Sequence, residues 1–462
     1  MKEVVRFRKS VMLFVKAFLV ATVTLGFIQT WTSNYVGTLF SQKGNYVVIF
    51  SFVLIFATFS TLYGAFNIGV QRIHEIIYSF SLAVIFTNAV MYLELSLIAR
   101  ELVRVVPMLT GCLYQLFAVA LGSCCANVFY FRLYKARKMI AIFSNDADGF
   151  ALIRKMSKIS ERFRVECGLN AERTSMEELK RQIDKYEAVI LCDIDKAKQK
   201  ELFSYCYTKQ KRTYLLPDIT DIVLNNSFEI QISDTPVLMS RNRGLTVEQE
   251  IIKRFFDILL SLFAILLTSP VMLICALAIK LDDGGPVFFR QNRITKDGKI
   301  FNIIKFRSMV VDADKDGAKK AVNGDDRITR VGKIIRSFRV DELPQFFNVL
   351  RGDMSMVGPR PERIENVYEY TAKYPEFELR HRVKAGLTGY AQLYGKYNTT
   401  PADKLHMDLF YIETYSVLLD IKLLILTFKI LFMKESTEGF DESANKNVRA
   451  SSSVRKDEKD EL

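Results

Sequence analysis

Residues 253–281 read KRFFDILLSLFAILLTSPVMLICALAIKL, and the apolar run from Phe255 to Leu281 within them is broken at Ser269 and Pro270. Proline inside a helix removes one N–H donor and collides with the carbonyl of the preceding turn, so a helix here should bend sharply. Its arms are about 14 and 11 residues long, each short of the ~20 that a helix needs to cross the hydrocarbon. Two forms fit: a kinked helix that crosses the bilayer, or a re-entrant helix, 255–281, that enters one leaflet, turns at Ser269-Pro270 and returns. Length does not choose between them, and charge placement must.

Upstream, Val11 to Trp31, Tyr46 to Phe66, Ile76 to Ile98 and Val105 to Phe131 are four apolar stretches of spanning length, which assigns residues 1–137 to a four-helix transmembrane bundle. The length of the first stretch and the three after it argue against a cleaved signal peptide. Lys2, Arg6, Arg8 and Lys9 precede the bundle and Arg132, Lys135, Arg137 and Lys138 follow it, so both ends face the cytoplasm, against a small contribution from Arg100 and Arg104. A full crossing by 255–281 would then carry the basic chain after Asp282 to the outside, where nucleotide substrates are scarce. Re-entry is the expectation.

Half of the 462 residues are hydrophobic and the formal charge is +13, which favours an anionic partner such as a membrane surface, a nucleotide or a phosphorylated lipid. No nucleic-acid module is recognisable, and the basic residues lie beside membrane-seeking segments. Seven cysteines without C-x-x-C spacing and three histidines without helical pairing argue against a disulfide framework or a zinc site.

Between 138 and 245, short apolar runs (Met139 to Phe143, Phe163 to Cys167, Ala188 to Cys192, Thr213 to Leu216) alternate with helical segments such as Met176 to Lys185. That alternation predicts a Rossmann-like α/β domain. Its first turn, Phe143 to Gly149, lacks the G-x-G-x-x-G that lets backbone approach a pyrophosphate, so a regulatory or assembly role is expected over dinucleotide binding.

Residues 246–433 form the expected catalytic domain, mostly helical. At its centre Asp341 and Glu342 follow Arg327, Arg330, Lys333, Arg336 and Arg339. A carboxylate among cations should be lowered in pKa, ready to attack or to hold a metal. Taken alone, the pair is an ordinary helix start ahead of Pro344. Lys305, Arg307, Arg336 and Arg360 supply cations suited to phosphate oxygens, with Lys253, Arg254, Gln345 and Lys396 as further substrate or phosphate-binding candidates. Arg330 to Arg339 and Tyr415 to Met433 read as interfacial amphipathic helices. The polar tail 434–462 reads as disordered, and its terminal Lys459-Asp-Glu-Leu462 as a chance match to a retention address.

With Lys253-Arg254-x-x-Asp257, Ser269-Pro270, Gly285-Pro286-Val-Phe-Phe-Arg-Gln291, Lys305-Phe-Arg-Ser-Met309, Asp341-Glu-Leu-Pro-Gln345, Asn348 to Glu362 and Gly386-Leu-Thr-Gly-Tyr-Ala-Gln392 in one order, residues 250 to 433 resemble the bacterial polyprenyl-phosphate sugar phosphotransferases. These are also called monotopic phosphoglycosyl transferases, and the preceding chain is similar to their long form. The resemblance implies transfer of a sugar 1-phosphate from a UDP-sugar to undecaprenyl phosphate in the cytoplasmic leaflet of the bacterial inner membrane, releasing UMP. It implies attack by Asp341 and a covalent phosphosugar intermediate, Mg²⁺ held by Asp341 and Glu342, phosphate contacts from Lys305, Arg336 and Arg360, and a re-entrant break at Ser269-Pro270. An exopolysaccharide, capsule or O-antigen route would follow, and a homodimer through the bundle and α/β domain is compatible with it. The chain departs from the family pattern at Arg339, where many members have serine, at Ala385 in place of proline, and at Lys396, where many have arginine. A non-catalytic membrane scaffold and a lipid-linked sugar transporter are the rival readings.

Overall fold

The four N-terminal apolar stretches fold as helices α1 (Arg8–Asn34), α2 (Gln42–Leu62), α3 (Ile73–Ala99) and α4 (Val105–Leu133). The computed structural model describes residues 7–35, 42–157, 159, 161–240, 244–311, 313, 325–395 and 399–431. It divides into two compact units, Met1–Pro217 and Asp218–Leu462.

In the first unit the bundle packs on an aromatic file in which Phe27 stacks on Phe52 and Phe56 on Phe80. Asn88 donates to Gln115 Oε1 at 2.6 Å, a buried link between α3 and α4 that satisfies polar groups where no water is at hand. The chain then forms a four-stranded parallel sheet of β1 (Arg137–Phe143), β2 (Phe163–Asn170), β3 (Ala188–Cys192) and β4 (Arg212–Leu215) in the order β2-β1-β3-β4, with helices α5 (Asp146–Ser157), α6 (Met176–Asp184) and α7 (Lys196–Thr208) between strands. Alternate residues serve opposite faces. Ile140, Ile142, Val189 and Leu191 meet α6 and α7, while Met139, Ala141, Phe143 and Ile190 meet α5. Asp146 and Asp148 occupy the first turn of α5, placing carboxylates where a Rossmann domain receives a pyrophosphate. Repulsion there agrees with the missing glycine fingerprint.

The second unit begins earlier than the sequence boundary at 245/246. Helix α8 (Ile219–Asn225) buries Ile222 against Leu405 and Leu409 of the catalytic core, and the hairpin β5 (Phe228–Ile232) and β6 (Thr235–Met239) follows it. Helix α9 (Val247–Asp283) starts with a capping box between Thr246 and Gln249 and ends at Gly284, whose φ of 69° is a left-handed cap that glycine adopts without Cβ strain. Ser269 and Pro270 lie inside α9, and the chain stays helical through them. Both arms pack on the same unit. Arg254 and Asp257 hold its N-terminal arm, while Met272 and Ile279 cluster with Phe306 and Ile335. The opposite face, including Phe255, Phe263, Leu266, Leu273 and Leu277, is exposed.

The antiparallel hairpin β7 (Phe288–Ile294) and β8 (Ile300–Phe306) precedes α10 (Arg330–Ser337), a 3₁₀ turn Val340–Glu342, and α11 (Gln345–Arg351). Short strands β9 (Ser355–Val357) and β10 (Gly386–Thr388) pair in parallel, with α12 (Ile364–Lys373) and a 3₁₀ stretch Pro375–Arg382 between them. Helices α13 (Tyr390–Tyr394), α14 (Pro401–Glu413) and α15 (Val417–Leu431) complete the core around Phe377, Leu405, Leu409 and Leu423. A Cβ on Gly386 or Gly389 would fall 2.0 Å from backbone atoms of Gly358, so this glycine motif exists to let two chain segments touch. Among the described residues five helices, α1 to α4 and α9, are long and apolar enough to cross a membrane, and the chain is a membrane protein. The tail expected to be disordered lies outside the described residues.

Candidate active site

The acid pair sits on the 3₁₀ turn between α10 and α11, entered through Arg339 in the left-handed region at φ 54°. A non-glycine residue there stores roughly 1–2 kcal/mol of backbone strain, held in place by the packing of Val340 and Leu343 beneath the turn. Asn348, fully buried on α11, fixes the turn against β8: its Oδ1 accepts from Ile304 N at 2.9 Å and its Nδ2 donates to Asn302 O at 2.8 Å. The acids are thereby set beside Lys305, the residue after Ile304.

Glu342 is the electrostatic centre. Lys305 Nζ at 2.9 Å and Arg360 NH2 at 2.8 Å both donate to its Oε1, and its side chain is only 18% exposed. Burial alone would raise its pKa, but Arg360 and Lys305 outweigh burial and hold Glu342 far below the ordinary carboxylate range. Asp341 behaves in the opposite way. Burial and the Glu342 charge beside it raise its pKa, and Lys305 and Arg336 offset this only in part. The lowering expected for the pair therefore falls on Glu342 and not on Asp341. Among the described residues, Asp341 has no ion-pair partner within salt-bridge distance.

Two further arginines hold the loop that carries Arg360. Arg380 NH2 donates to the carbonyl of Arg360 at 2.8 Å, and Arg293 NH1 to the carbonyl of Pro361 at 3.0 Å. Arg380 is itself paired with buried Asp408, and Glu362 with Lys404 at 3.2 Å. Sequence reasoning missed Arg293, Arg380 and Asn348 as positioning residues. The Pro-Arg-Pro-Glu motif signalled a fixed loop, but nothing in the spacing named its clamps.

The structure brings Asp341, Glu342, Lys305, Arg336 and Arg360 together and places the other candidates elsewhere. Arg307 is 6% exposed and spans both oxygens of Asp283 while its Nε donates to Pro286 O, closing the end of α9 against the hairpin. Lys253 is buried on Asp420 and Tyr411, and Arg254 donates to the carbonyls of Val349 and Leu350. Gln345 is buried on α11, with no hydrogen-bond partner for its Nε2 among the described residues. Lys396 lies outside the described residues.

Among the described residues no group of three or more His, Cys, Asp or Glu is placed to hold a metal. Asp341 and Glu342 offer two carboxylates, a donor set that suits Mg²⁺, which keeps several waters and completes its shell with substrate phosphates. Surrounded by Lys305, Arg336 and Arg360, the site can receive a polyanionic phosphate and leave one carboxylate free to react.

The bacterial sugar transferase family matches residues 248–434. A UDP-N-acetylgalactosamine-undecaprenyl-phosphate N-acetylgalactosaminephosphotransferase of Aeromonas hydrophila is 46% identical over 183 residues, 39% of this chain and 43% of that protein. A UDP-glucose:undecaprenyl-phosphate glucose-1-phosphate transferase of Escherichia coli (strain K12) is 38% identical over 247 residues, 52% of this chain and 53% of that protein. The chain thus spans about half the length of these two relatives. The exopolysaccharide production protein PSS of Rhizobium leguminosarum bv. phaseoli is 43% identical over 183 residues, 38% of this chain and 92% of that protein. With nearly the whole of that shorter relative covered, and the family's residues gathered around one acid pair, the chain belongs to the bacterial sugar transferase family.

Proposed function

We propose that the protein is a phosphoglycosyl transferase that moves a sugar 1-phosphate from a UDP-sugar to undecaprenyl phosphate and releases UMP. The observation that carries this reading is the division of labour in the acid pair. Glu342 is fixed and ionised by Lys305 and Arg360, while Asp341 beside it has no ion-pair partner within salt-bridge distance among the described residues. The donors named for the Aeromonas and Escherichia relatives support the same substrate class.

In the first step an Asp341 oxygen attacks the phosphorus next to the sugar. The bond from that phosphorus to the bridging oxygen breaks, UMP leaves with that oxygen, and the phosphosugar is held as an acyl phosphate on Asp341. A phosphate oxygen of the lipid then attacks the same phosphorus, the bond to Asp341 breaks, and the carboxylate is restored as undecaprenyl-diphosphate-sugar departs. Lys305, Arg336 and Arg360 balance the charge of the transferring group. Asp341 and Glu342 would hold Mg²⁺, which when bound neutralises pyrophosphate charge.

The reaction is placed at the cytoplasmic face of the bacterial inner membrane, with α1 to α4 spanning and α9 re-entrant. Contacts from both arms of α9 to one unit support re-entry, since a straight helix of its 37 residues would run about 55 Å. Ile334 and Phe338, exposed beside the acid pair, support a seat for α10 in the headgroup layer. The PSS relative's name favours exopolysaccharide initiation as the pathway. A panel of UDP-sugars supplied with undecaprenyl phosphate to membranes, with UMP release measured, tests the reading. UMP should appear with one donor class and vanish in Asp341→Asn; release unchanged in that variant would reject it.

A further inference from the structure

A cleft of about 360 Å³ opens in the catalytic unit at the start of α9, away from Asp341. Four cations line it, and three are already engaged: Lys253 with Asp420, Arg254 with the carbonyls ending α11, and Lys296 with Glu250. Lys384, half-buried in the same wall, has no hydrogen-bond or ion-pair partner among the described residues. Its carboxylate neighbours are also occupied. Glu250 takes Lys296, and Asp257 accepts from Ser355 Oγ at 2.9 Å and Met356 N at 2.8 Å. Burial, then Arg254, pulls Lys384 below the usual lysine range, and Asp257 and Glu250, each engaged elsewhere, offset this only in part. From the rim, exposed Val247, Ile251 and Phe255 follow at intervals of four residues along one face of α9 toward its apolar run.

We infer that this cleft holds the phosphodiester headgroup of a membrane phospholipid on Lys384, with an acyl chain along Val247, Ile251 and Phe255. The inference rests on the membrane placement of α9 proposed above. A non-reacting phospholipid fits better than the acceptor. Arg254 in the cleft wall bonds the C-terminal end of α11, whereas Asp341 precedes its N-terminus, so a phosphate there lies on the order of 10 Å from the acid by the helical rise, far beyond the ~3–3.5 Å of an attacking group.

The test is binding of short-chain phosphatidylglycerol to the full-length protein in neutral detergent, followed by native mass spectrometry, with decaprenyl phosphate and inorganic phosphate in parallel. Lys384→Gln should weaken phosphatidylglycerol roughly ten-fold, as loss of a charge-assisted hydrogen bond does, and Lys384→Arg should restore it. Ile251→Glu, which sets an anion at the exposed rim, should weaken it independently. Equal phosphatidylglycerol affinity in the wild type, Lys384→Gln and Ile251→Glu overturns the inference, as does dependence on Lys384 confined to decaprenyl phosphate or to inorganic phosphate. No UDP-sugar is present in this measurement, so its failure is separate from failure of the transfer reaction.

Discussion

Arg380 donates from Nε at 3.0 Å and approaches with NH2 at 2.8 Å the same Oδ2 of Asp408, and both side chains are almost wholly enclosed, at 2% and 1% exposure. The same NH2 grips the carbonyl of Arg360. Removing one partner strands a buried charge. Arg380→Met should therefore cost about 3–5 kcal/mol of stability, while the double variant Arg380→Met with Asp408→Asn should recover part of that loss. Thermal unfolding in detergent checks both. Because Arg380 also holds the carbonyl of Arg360, the double variant should keep a raised donor KM even where its melting point recovers.

Asp408 and Glu342 carry pH dependence of opposite sign. Burial raises Asp408 to about 6 even against Arg380. Its contribution is fully present below the unfolded value of about 3.9 and is lost as pH rises through about 6. Glu342 is held low by Arg360 and Lys305 against burial, so its contribution is present above the unfolded value of about 4.3 and is lost as pH falls through its folded value. Asp408→Asn should flatten the stability profile between about pH 4 and 6, and Glu342→Gln should flatten the acid side below that, in melting temperatures read across pH.

Catalysis should show the environment of Asp341 directly. The attacking carboxylate must be ionised, and burial with Glu342 beside it raises its pKa, so the acid limb of kcat/KM should lie above that of an ordinary aspartate. Arg336 opposes this rise. Arg336→Gln should move the limb further upward, beyond any fall in rate from lost phosphate contact. A limb that moves down, or stays fixed, would show that Asp341 is not the titrating group.

Glu342→Gln removes the anion that balances Lys305 and Arg360. UMP release should fall by about 10² or more, as it does when a preorganised electrostatic partner is lost. Glu342→Asp, which keeps the charge and shortens the arm, should retain more activity than Glu342→Gln in the same UMP assay.

Pro270→Ala restores an N–H donor and removes a clash together worth ~3 kcal/mol, and should favour a straighter α9. In a cysteine-free chain carrying Asn292→Cys, an impermeant maleimide should label only permeabilised cells. Adding Pro270→Ala should bring a fraction of the label to the outside. Outside labelling without the proline change would contradict re-entry.

The bundle and the α/β sheet were legible because apolar length and strand alternation are local signals; Ala188–Cys192 falls where the alternation put it, and β1 and β2 grow by only two and three residues. The Asp-Glu pair was legible because adjacent acids amid cations survive any fold. What the sequence withheld was long-range partnership. Arg307, just past the end of β8, is two residues from Lys305 on it, yet Arg307 turns to Asp283 while Lys305 turns to Glu342. Asn348 looks like any polar residue on a short helix until β8 is laid beside it. The pKa of Asp341 was misread for a related reason: cation density was visible, whereas burial and the choice of Glu342 as their shared target depend on three-dimensional packing. Residues 218–245 joined the catalytic unit because Ile222 finds its core there, which composition did not reveal.

The central claim is a phosphosugar carried on Asp341. Protein incubated with its UDP-sugar without lipid phosphate, acid-quenched, digested and analysed by mass spectrometry should show the peptide bearing Asp341 heavier by one hexose phosphate or its N-acetylated counterpart, and Asp341→Asn should not. Turnover of donor by the wild-type protein with that peptide always unmodified would contradict the account.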